Sequence, residues 1–524
     1  MSLKKRLPFT SGLFTRMITE GYVYVDKTRF LYELIMSDGQ YYMFNRPRRF
    51  GKSTVVTTLK ELFLGNKELF NELWISGTDY AWPVHPVIHL DMSKLDSGSP
   101  EELRESLTRT LRRIAMDNNV SFDVASSPGN QLVDVVTALA KQQKVVILID
   151  EYDCPTVSHL DKPEIAKANH AILKSFYTKL KALEEHLRFV FLTGVSKMPK
   201  DSSYSGLNNV QDISLDPRVA ALAGYTEEDL HTYFLPHVED LAKKRGVATQ
   251  QIFDEMRQWY NGYYFSGDTS ISVYNPFSIL NYLHNQVCQN YWILSGRPSF
   301  LLECLKREKY TLEELDKVCK EPVVLSPSGG ERLSLSLLLY QTGYVTIASA
   351  DENRRFYYLG YPNKEVKEAM EGSVLAYLAG VDFNEAEPFI RTLKNAFIEG
   401  DVAGFVGAIQ TFFAQVPYKL HIEAEKFYHA LVFALSKGLG LVVQCEVVTS
   451  LGQIDMIVQN RDTVFVIEFK LNVPAEKALA QIKKRRYYEQ FMHPSRRVFL
   501  LGVAFNFSDK KLAVSYVSEE LQNV

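Results

Sequence analysis

Cysteine is scarce in this chain of 524 residues: Cys154, Cys288, Cys304, Cys319 and Cys445 are scattered, and no two form a CxxC pair. That spacing argues against a disulfide framework and against a zinc site, and it suits a reducing cytoplasm. Long apolar runs are missing as well. No stretch approaches the roughly 18 apolar residues of a membrane span. The basic start MSLKKRLPFTSGLF has no apolar segment behind it, so we read no signal peptide and expect a cytoplasmic protein without a membrane partner. Nor is there an excess of one charge. With a formal net charge of −3, any attraction to nucleic acid must come from local patches. We find no clear repeat and no low-complexity tract.

What is present is ample core: 46% of residues are hydrophobic and 23% charged. The length suggests roughly three domains. From residue 40, strand-like and helix-like segments alternate: QYYMFN, then KSTVVTTLKELFLG, then PVIHLDM (86–92), with helical stretches near 101–116 and 131–142. KVVILIDEYD (144–153) is a continuous apolar run ending in acid, as expected of a strand covered on both faces in a parallel sheet. A helix over about 164–186, a buried strand RFVFLTG (188–194) and a candidate fifth strand in NNVQDISL (208–215) complete the rhythm of a doubly wound α/β domain, residues 1–224. Residues 225–410 read as a helical extension, with room for a small winged element. Its aromatic patches, WYNGYYF (259–265) and YNPFSILNYLHN (274–285), read as packing rather than a base-stacking surface. Residues 411–524 change texture. A helix (423–436), strands 441–448, 454–459 and 463–470, a basic helix (475–491) and a strand (497–503) give an αβββαβ order.

One glycine is conspicuously missing. RPRRFGKS (46–53) fits GxxxxGK[ST], except that Arg46 stands where the first glycine belongs. A phosphate-binding loop works because backbone N–H groups and a helix N-terminus surround the anion. Here Arg46, Pro47, Arg48, Arg49, Phe50, Gly51, Lys52, Ser53 and Thr54 would form that loop. Gly51 would permit close approach, Lys52 would reach the terminal phosphates, and Ser53 would ligate magnesium. We expect the arginines to replace some of the neutralisation and geometry that glycine would provide. GKST alone is equally an ordinary helix start. VVILIDE (145–151) tips the balance by placing Asp150 and Glu151 at the end of a buried strand. Asp150 would hold the magnesium shell and Glu151 would activate the attacking water. Thr193 stands where related ATPases sense the terminal phosphate, although Thr-Gly is also ordinary turn chemistry. No arginine finger can be assigned; Arg218 in SLDPR is a candidate by position alone.

A second constellation is Asp455…Glu468-x-Lys470, in GQIDMIV (452–458) and VFVIEFK (464–470). Residues two apart on a strand share a face, so Glu468 and Lys470 project together. Acids from adjacent strands can ligate Mg²⁺, or Mn²⁺, beside a lysine that steadies developing charge, which suits phosphodiester hydrolysis. Glu425 would add a metal carboxylate, Gln481 would position substrate or water, and Tyr487 lies six residues on. The bland alternative is a half-buried hairpin with solvated acids. KKRR (483–486) reads equally as a phosphate contact and as a solvated face. With 13 Lys+Arg and 11 Asp+Glu over 421–524, the segment is not strongly basic.

Taken together, the chain resembles the bacterial family that joins an N-terminal AAA-ATPase-like domain to a C-terminal PD-(D/E)XK nuclease domain. The motifs that carry the resemblance are YVYVDKTRFLYELI (22–35), RPRRFGKS, LIDEYDCP (148–155), LTGVSK (192–197), GLNNVQDIS (206–214), GYTEEDL (224–230), WYNGYYF and YNPFSIL, then EKFYHALVFAL (425–435), GQIDMIV, VFVIEFK and QIKKRRYY (481–488). The resemblance implies that RPRRFGKS is this family's own form of the loop. It also implies that Asp150 and Glu151 are the magnesium and water-activating pair, and that Asp455, Glu468 and Lys470 are the nuclease core. Asp26, Lys27 and Thr28 match the family's DKT segment and would border the nucleotide. One departure is Gln453, where the family commonly has arginine. The expected function is an ATP-binding, ATP-hydrolysing protein that controls a Mg²⁺-dependent nuclease acting on nucleic acid, with DNA favoured and a homo-oligomer allowed. The alternative is a nucleotide-dependent switch or scaffold whose C-terminal domain binds DNA or a protein without cutting.

Overall fold

VVILID becomes a strand because every one of its side chains is apolar or, at Asp150, held by a neighbour; all six positions are buried. The computed structural model describes residues 4–9, 12–121, 123–196, 210–294, 318–319, 321–325, 334–353, 355–370, 383–415, 442–449, 452–486, 488–493, 496–508 and 511–521. The chain divides into two units, Met1–Val366 and Lys367–Val524.

The first unit carries a parallel sheet of β1 (Tyr41–Asn45), β2 (Val87–Asp91), β3 (Val145–Asp150), β4 (Leu187–Gly194) and β5 (Gln211–Asp212), in the order β2-β3-β4-β1-β5. The fifth strand is therefore real but only two residues long. Alternation sorts the side chains. Tyr41, Met43, Val145, Ile147, Ile149, Val190 and Leu192 meet the helices Pro100–Asp117, Pro128–Ala140 and Pro163–Ala182 in one core. On the other face Phe189 packs on Phe63 of helix Lys52–Phe63, with ring centroids 5.1 Å apart. β4 lies between β1 and β3, with Phe44 opposite Thr193 and Ile149 opposite Leu192. The strand ends that carry the loop and the acids thus flank Thr193, and ligands of open parallel sheets bind at those ends.

Beyond residue 225 the first unit is mainly helical. Helices Leu235–Arg245, Thr249–Tyr260 and Pro276–Asn285 form a core that also takes in Val23 and Val25 from the N-terminal segment. A small antiparallel pair, β6 (Thr346–Ala350) and β7 (Tyr357–Gly360), follows these helices.

The second unit is built on a mixed sheet of β8 (Val442–Thr449), β9 (Gly452–Gln459), β10 (Thr463–Leu471), β11 (Arg497–Ser508) and β12 (Lys511–Leu521), in the order β12-β11-β10-β9-β8. Only β10 and β11 run parallel, joined through helix Ala475–Arg485. Val464 and Val466 pack with Leu479 and Ile482 of that helix. Phe465, on the opposite face, meets Phe397 and Phe405 at 4.8 and 5.2 Å. Gly502 lets the helix close on β11: a Cβ there would stand 2.4 Å from the Ala475 carbonyl oxygen and 2.6 Å from the Leu479 nitrogen. Two expectations need correcting. The basic helix stops at Arg485, because Arg486 takes a left-handed φ of 52° and the chain re-forms only a short turn at Glu489–Phe491. The sheet also gains β12, which pairs along the length of β11. The helix anticipated over 423–436 lies outside the described residues, as do Glu425 and Tyr487. Among the described residues no helix is long and apolar enough to cross a membrane.

Candidate functional site

The loop from Arg46 to Ser53 turns through two left-handed residues, Arg49 (φ 70°) and Gly51 (φ 92°), before the helix starts at Lys52. Lys52 is 3% exposed and its ammonium is fully engaged. It donates to the carbonyls of Arg46 (3.1 Å) and Pro47 (3.3 Å) and lies 3.2 Å from Glu151 Oε1. Burial raises the Glu151 carboxyl above its ordinary range, while Lys52 pulls it back down. Glu151 itself sits at a φ of 52°, so the chain reverses hand directly after β3. Behind it Asp150, 3% exposed, accepts the Thr193 hydroxyl at 2.5 Å.

Arg46 does not do what its place in the motif suggests. Its side chain, 1% exposed, turns away from the phosphate loop and lies between the rings of Phe44 and Phe265, at 4.3 and 4.2 Å. It donates to the carbonyls of Asn45, Ser214 and Val219. Desolvation lowers its pKa to about 10. Arg46 thus ties β1 to the segment after β5, and only its backbone serves Lys52. Arg48 and Arg49 line the cavity over the loop, and Arg49 lies 4.9 Å over the Phe277 ring. The loop is gripped from behind: the indole N–H of Trp292 donates to the Arg48 carbonyl at 3.3 Å.

A cavity of about 620 Å³ opens over this loop, within the usual range of nucleotide-sized pockets. Its wall includes Lys27, Arg48, Arg49, Gly51, Lys52, Ser53 and Glu151. The same wall includes the apolar and aromatic side chains of Phe9, Met17, Tyr24, Tyr225, Phe277 and Leu280. Sequence reasoning did not assign those apolar side chains. The signal was nonetheless there, since three quoted motifs converge on that wall: YVYVDKTRFLYELI brings Tyr24 and Lys27, GYTEEDL brings Tyr225, and YNPFSIL brings Phe277 and Leu280. Of the DKT segment only Lys27 lines the cavity, and its ammonium pairs with Asp229 at 2.5 Å. Asp26 instead accepts from Thr28 N at 2.8 Å and Trp74 N at 2.6 Å, fastening the segment. Arg218 is exposed and paired with Asp216 at 2.6 Å, and it is not on the cavity wall.

In the second unit β9 and β10 bring Asp455, Glu468 and Lys470 together, and helix Ala475–Arg485 adds Gln481. Asp455 Oδ2 accepts the Phe469 N–H at 2.8 Å. Lys470 Nζ lies 3.3 Å from Glu468 Oε1 and 2.9 Å from the Phe469 carbonyl. The Gln481 amide donates to the same Glu468 oxygen. Glu468 is 1% exposed, and burial together with Asp455 pushes its carboxyl up to about 7, against the pull of Lys470. Its second oxygen, Oε2, is buried without a hydrogen-bond partner. Such an oxygen costs about 1–3 kcal/mol or more unless something binds it. A hard cation is the fitting occupant, because two carboxylates facing each other repel until a positive ion lies between them. Among the described residues no group of three His, Cys, Asp or Glu is gathered, so protein ligands to such an ion would be Asp455 and Glu468.

Comparison with known proteins agrees with this arrangement. Residues 8–203 match the family described as predicted AAA-ATPase, and residues 423–514 match the PD-(D/E)XK nuclease superfamily. The chain is also similar to an "Uncharacterized protein in vnfD 5'region" from Azotobacter chroococcum mcd 1, at 34% identity over 539 residues and 99% of either chain.

Proposed function

The chain belongs to the family that joins a predicted AAA-ATPase domain to a PD-(D/E)XK nuclease domain, and from that premise we propose that it is a Mg²⁺-dependent nuclease whose action on nucleic acid, DNA first, is governed by ATP bound in its first unit. The observation that carries this reading is the partnerless, buried Glu468 oxygen beside Asp455 and Lys470. When bound there, Mg²⁺ or Mn²⁺ supplies Lewis acidity and a hydroxide at neutral pH. Asp455 and Glu468 would hold it, Lys470 would offset the negative charge that builds on a phosphate, and Gln481, bonded to Glu468, would orient that carboxylate.

In the first unit Lys52 would exchange its two loop carbonyls and Glu151 for the terminal phosphates of ATP. That exchange frees Glu151 to accept a proton from water, which is the role a raised carboxyl pKa suits. Asp150 and Ser53 would hold the magnesium of MgATP, and Thr193 already donates to Asp150. The aromatic and apolar side chains on the cavity wall, Tyr24, Tyr225 and Phe277 among them, suit a nucleobase.

A second reading has two observations in its favour. Glu151 is tied to Lys52, and Arg218 is tied to Asp216 away from the cavity. A nucleotide-operated switch that binds DNA or protein without cutting would keep both. The test is cleavage of plasmid and single-stranded DNA by the purified chain with Mg²⁺ or Mn²⁺, with and without ATP, beside Glu468→Ala and Lys52→Ala. Cleavage that vanishes in Glu468→Ala and loses its ATP response in Lys52→Ala supports the first reading. ATP binding without cleavage under any condition supports the switch.

A further inference from the structure

The acidic stretch after β3 holds a third carboxylate, Asp153, which the reading above leaves without a task. It is 7% exposed and lies on the cavity wall. Its oxygens accept the backbone N–H of Val195 at 3.2 Å, the backbone N–H of Ser196 at 2.7 Å and the Ser196 hydroxyl at 2.5 Å. All three donors belong to the segment that directly follows Thr193 and Gly194.

That segment is a junction. The Thr193 carbonyl accepts Tyr152 N–H at 2.8 Å, and the Gly194 carbonyl accepts Arg46 N–H, the first residue of the phosphate loop, at 3.2 Å. The Tyr152 hydroxyl donates to the Ser196 carbonyl. Space is as tight as the bonding. A Cβ on Gly194 would fall 2.6 Å from Asp153 Oδ1 and 2.6 Å from the Tyr152 ring. The exit of β4 therefore joins the phosphate loop on one side to the acidic turn on the other: Asp150 takes the Thr193 hydroxyl, and Asp153 takes the donors of Val195 and Ser196.

We infer that Asp153 is a positioning residue of the nucleotide site: its carboxylate fixes residues 193–196, and through them sets the Thr193 hydroxyl and the start of the phosphate loop at the distance a terminal phosphate requires. The inference rests on the nucleotide reading of the first unit. It also explains why LIDEYDCP and LTGVSK occur together, since Asp153 of one motif holds Val195 and Ser196 of the other. A carboxylate suits the task because it accepts from three donors at once, which an amide of the same shape cannot do.

The test uses the full chain and two probes, MgATP and MgADP, in wild type, Asp153→Asn and Ser196→Ala. ADP lacks the phosphate that Thr193 would meet. In Asp153→Asn, ADP affinity should stay within about twofold, the preference for ATP should fall roughly tenfold, and kcat for hydrolysis should fall about 10–100-fold with a smaller change in KM. Ser196→Ala removes one donor and should reproduce the pattern more weakly; it carries the test if Asp153→Asn fails to fold. Discrimination and kcat at wild-type level in both variants overturn the inference. So does equal loss of ATP and ADP binding in a folded variant, which would make Asp153 a general prop. A wild type that takes up neither nucleotide removes the nucleotide reading itself and this inference with it, a result distinct from either of the others.

Discussion

The two acidic centres invite comparison, because each gathers two carboxylates and a lysine, with the carboxylates carried on or just after strands of a sheet, yet they are assembled in opposite ways. Asp150, Glu151 and Lys52 come from segments a hundred residues apart, and every one of them has a protein partner. Their cavity walls come from still farther away. Asp455, Glu468 and Lys470 lie within one hairpin, and the decisive oxygen of Glu468 has no partner. The first centre is made by convergence, each of its charged groups answered by another part of the chain. The second is made locally and leaves one carboxylate oxygen unanswered.

The sharpest way to break that contrast is Glu468→Ala. We expect at least a ~1000-fold loss of metal-dependent cleavage with MgATP binding unchanged; parallel loss of both would mean that the centres are not separable. Next in size, Lys52→Ala should weaken MgATP by about 10–100-fold, the worth of one or two charge-assisted contacts. Calorimetry reads it, and the metal response of the second unit should not move. Gly502→Ala should lower the melting temperature of the second unit, with a cost of roughly 1–3 kcal/mol for overpacking against helix backbone, and it should reduce cleavage by displacing Gln481 from Glu468. The first unit should melt as before.

The last prediction concerns Glu365, a fully buried carboxyl that accepts from Ser278 Oγ at 2.8 Å and Trp292 N at 2.7 Å. Burial pushes it up to about 8. Below the ordinary carboxyl pKa it is protonated in both folded and unfolded chains and contributes nothing to pH dependence. Between about 4.5 and about 8 the unfolded chain releases the proton and the folded one keeps it, so stability falls as pH rises through that window. Glu365→Gln should therefore raise the melting temperature of the first unit at pH 8 and leave it nearly unchanged at pH 5. An equal shift at both pH values would show that packing, not charge, governs the site.

Much of this was legible in the sequence itself. A run of five apolar residues followed by Asp-Glu reads as a covered strand with acids at its mouth, and Glu468-x-Lys470 shares a face by the two-residue period alone. Side-chain direction at Arg46 was not legible. A motif assigns position in the loop, but the rings of Phe44 and Phe265 that draw the guanidinium away lie on distant segments. The apolar lining of the cavity was hidden for the same reason, because Tyr24, Tyr225 and Phe277 look like ordinary core in any local window. The helix that stops at Arg486 shows a different limit. KKRRYYEQ favours helix throughout, and the left-handed residue that ends it is not a glycine.

Of the four tryptophans in the chain, one has its indole on the phosphate loop. Trp292 is buried, bonded to the Arg48 carbonyl, and set edge-on to Tyr344 at 5.1 Å. An indole so placed is a natural optical gauge. Its emission changes when the carbonyl it touches changes direction, so the chain carries its own fluorophore for following occupancy of the loop in real time, with no label attached.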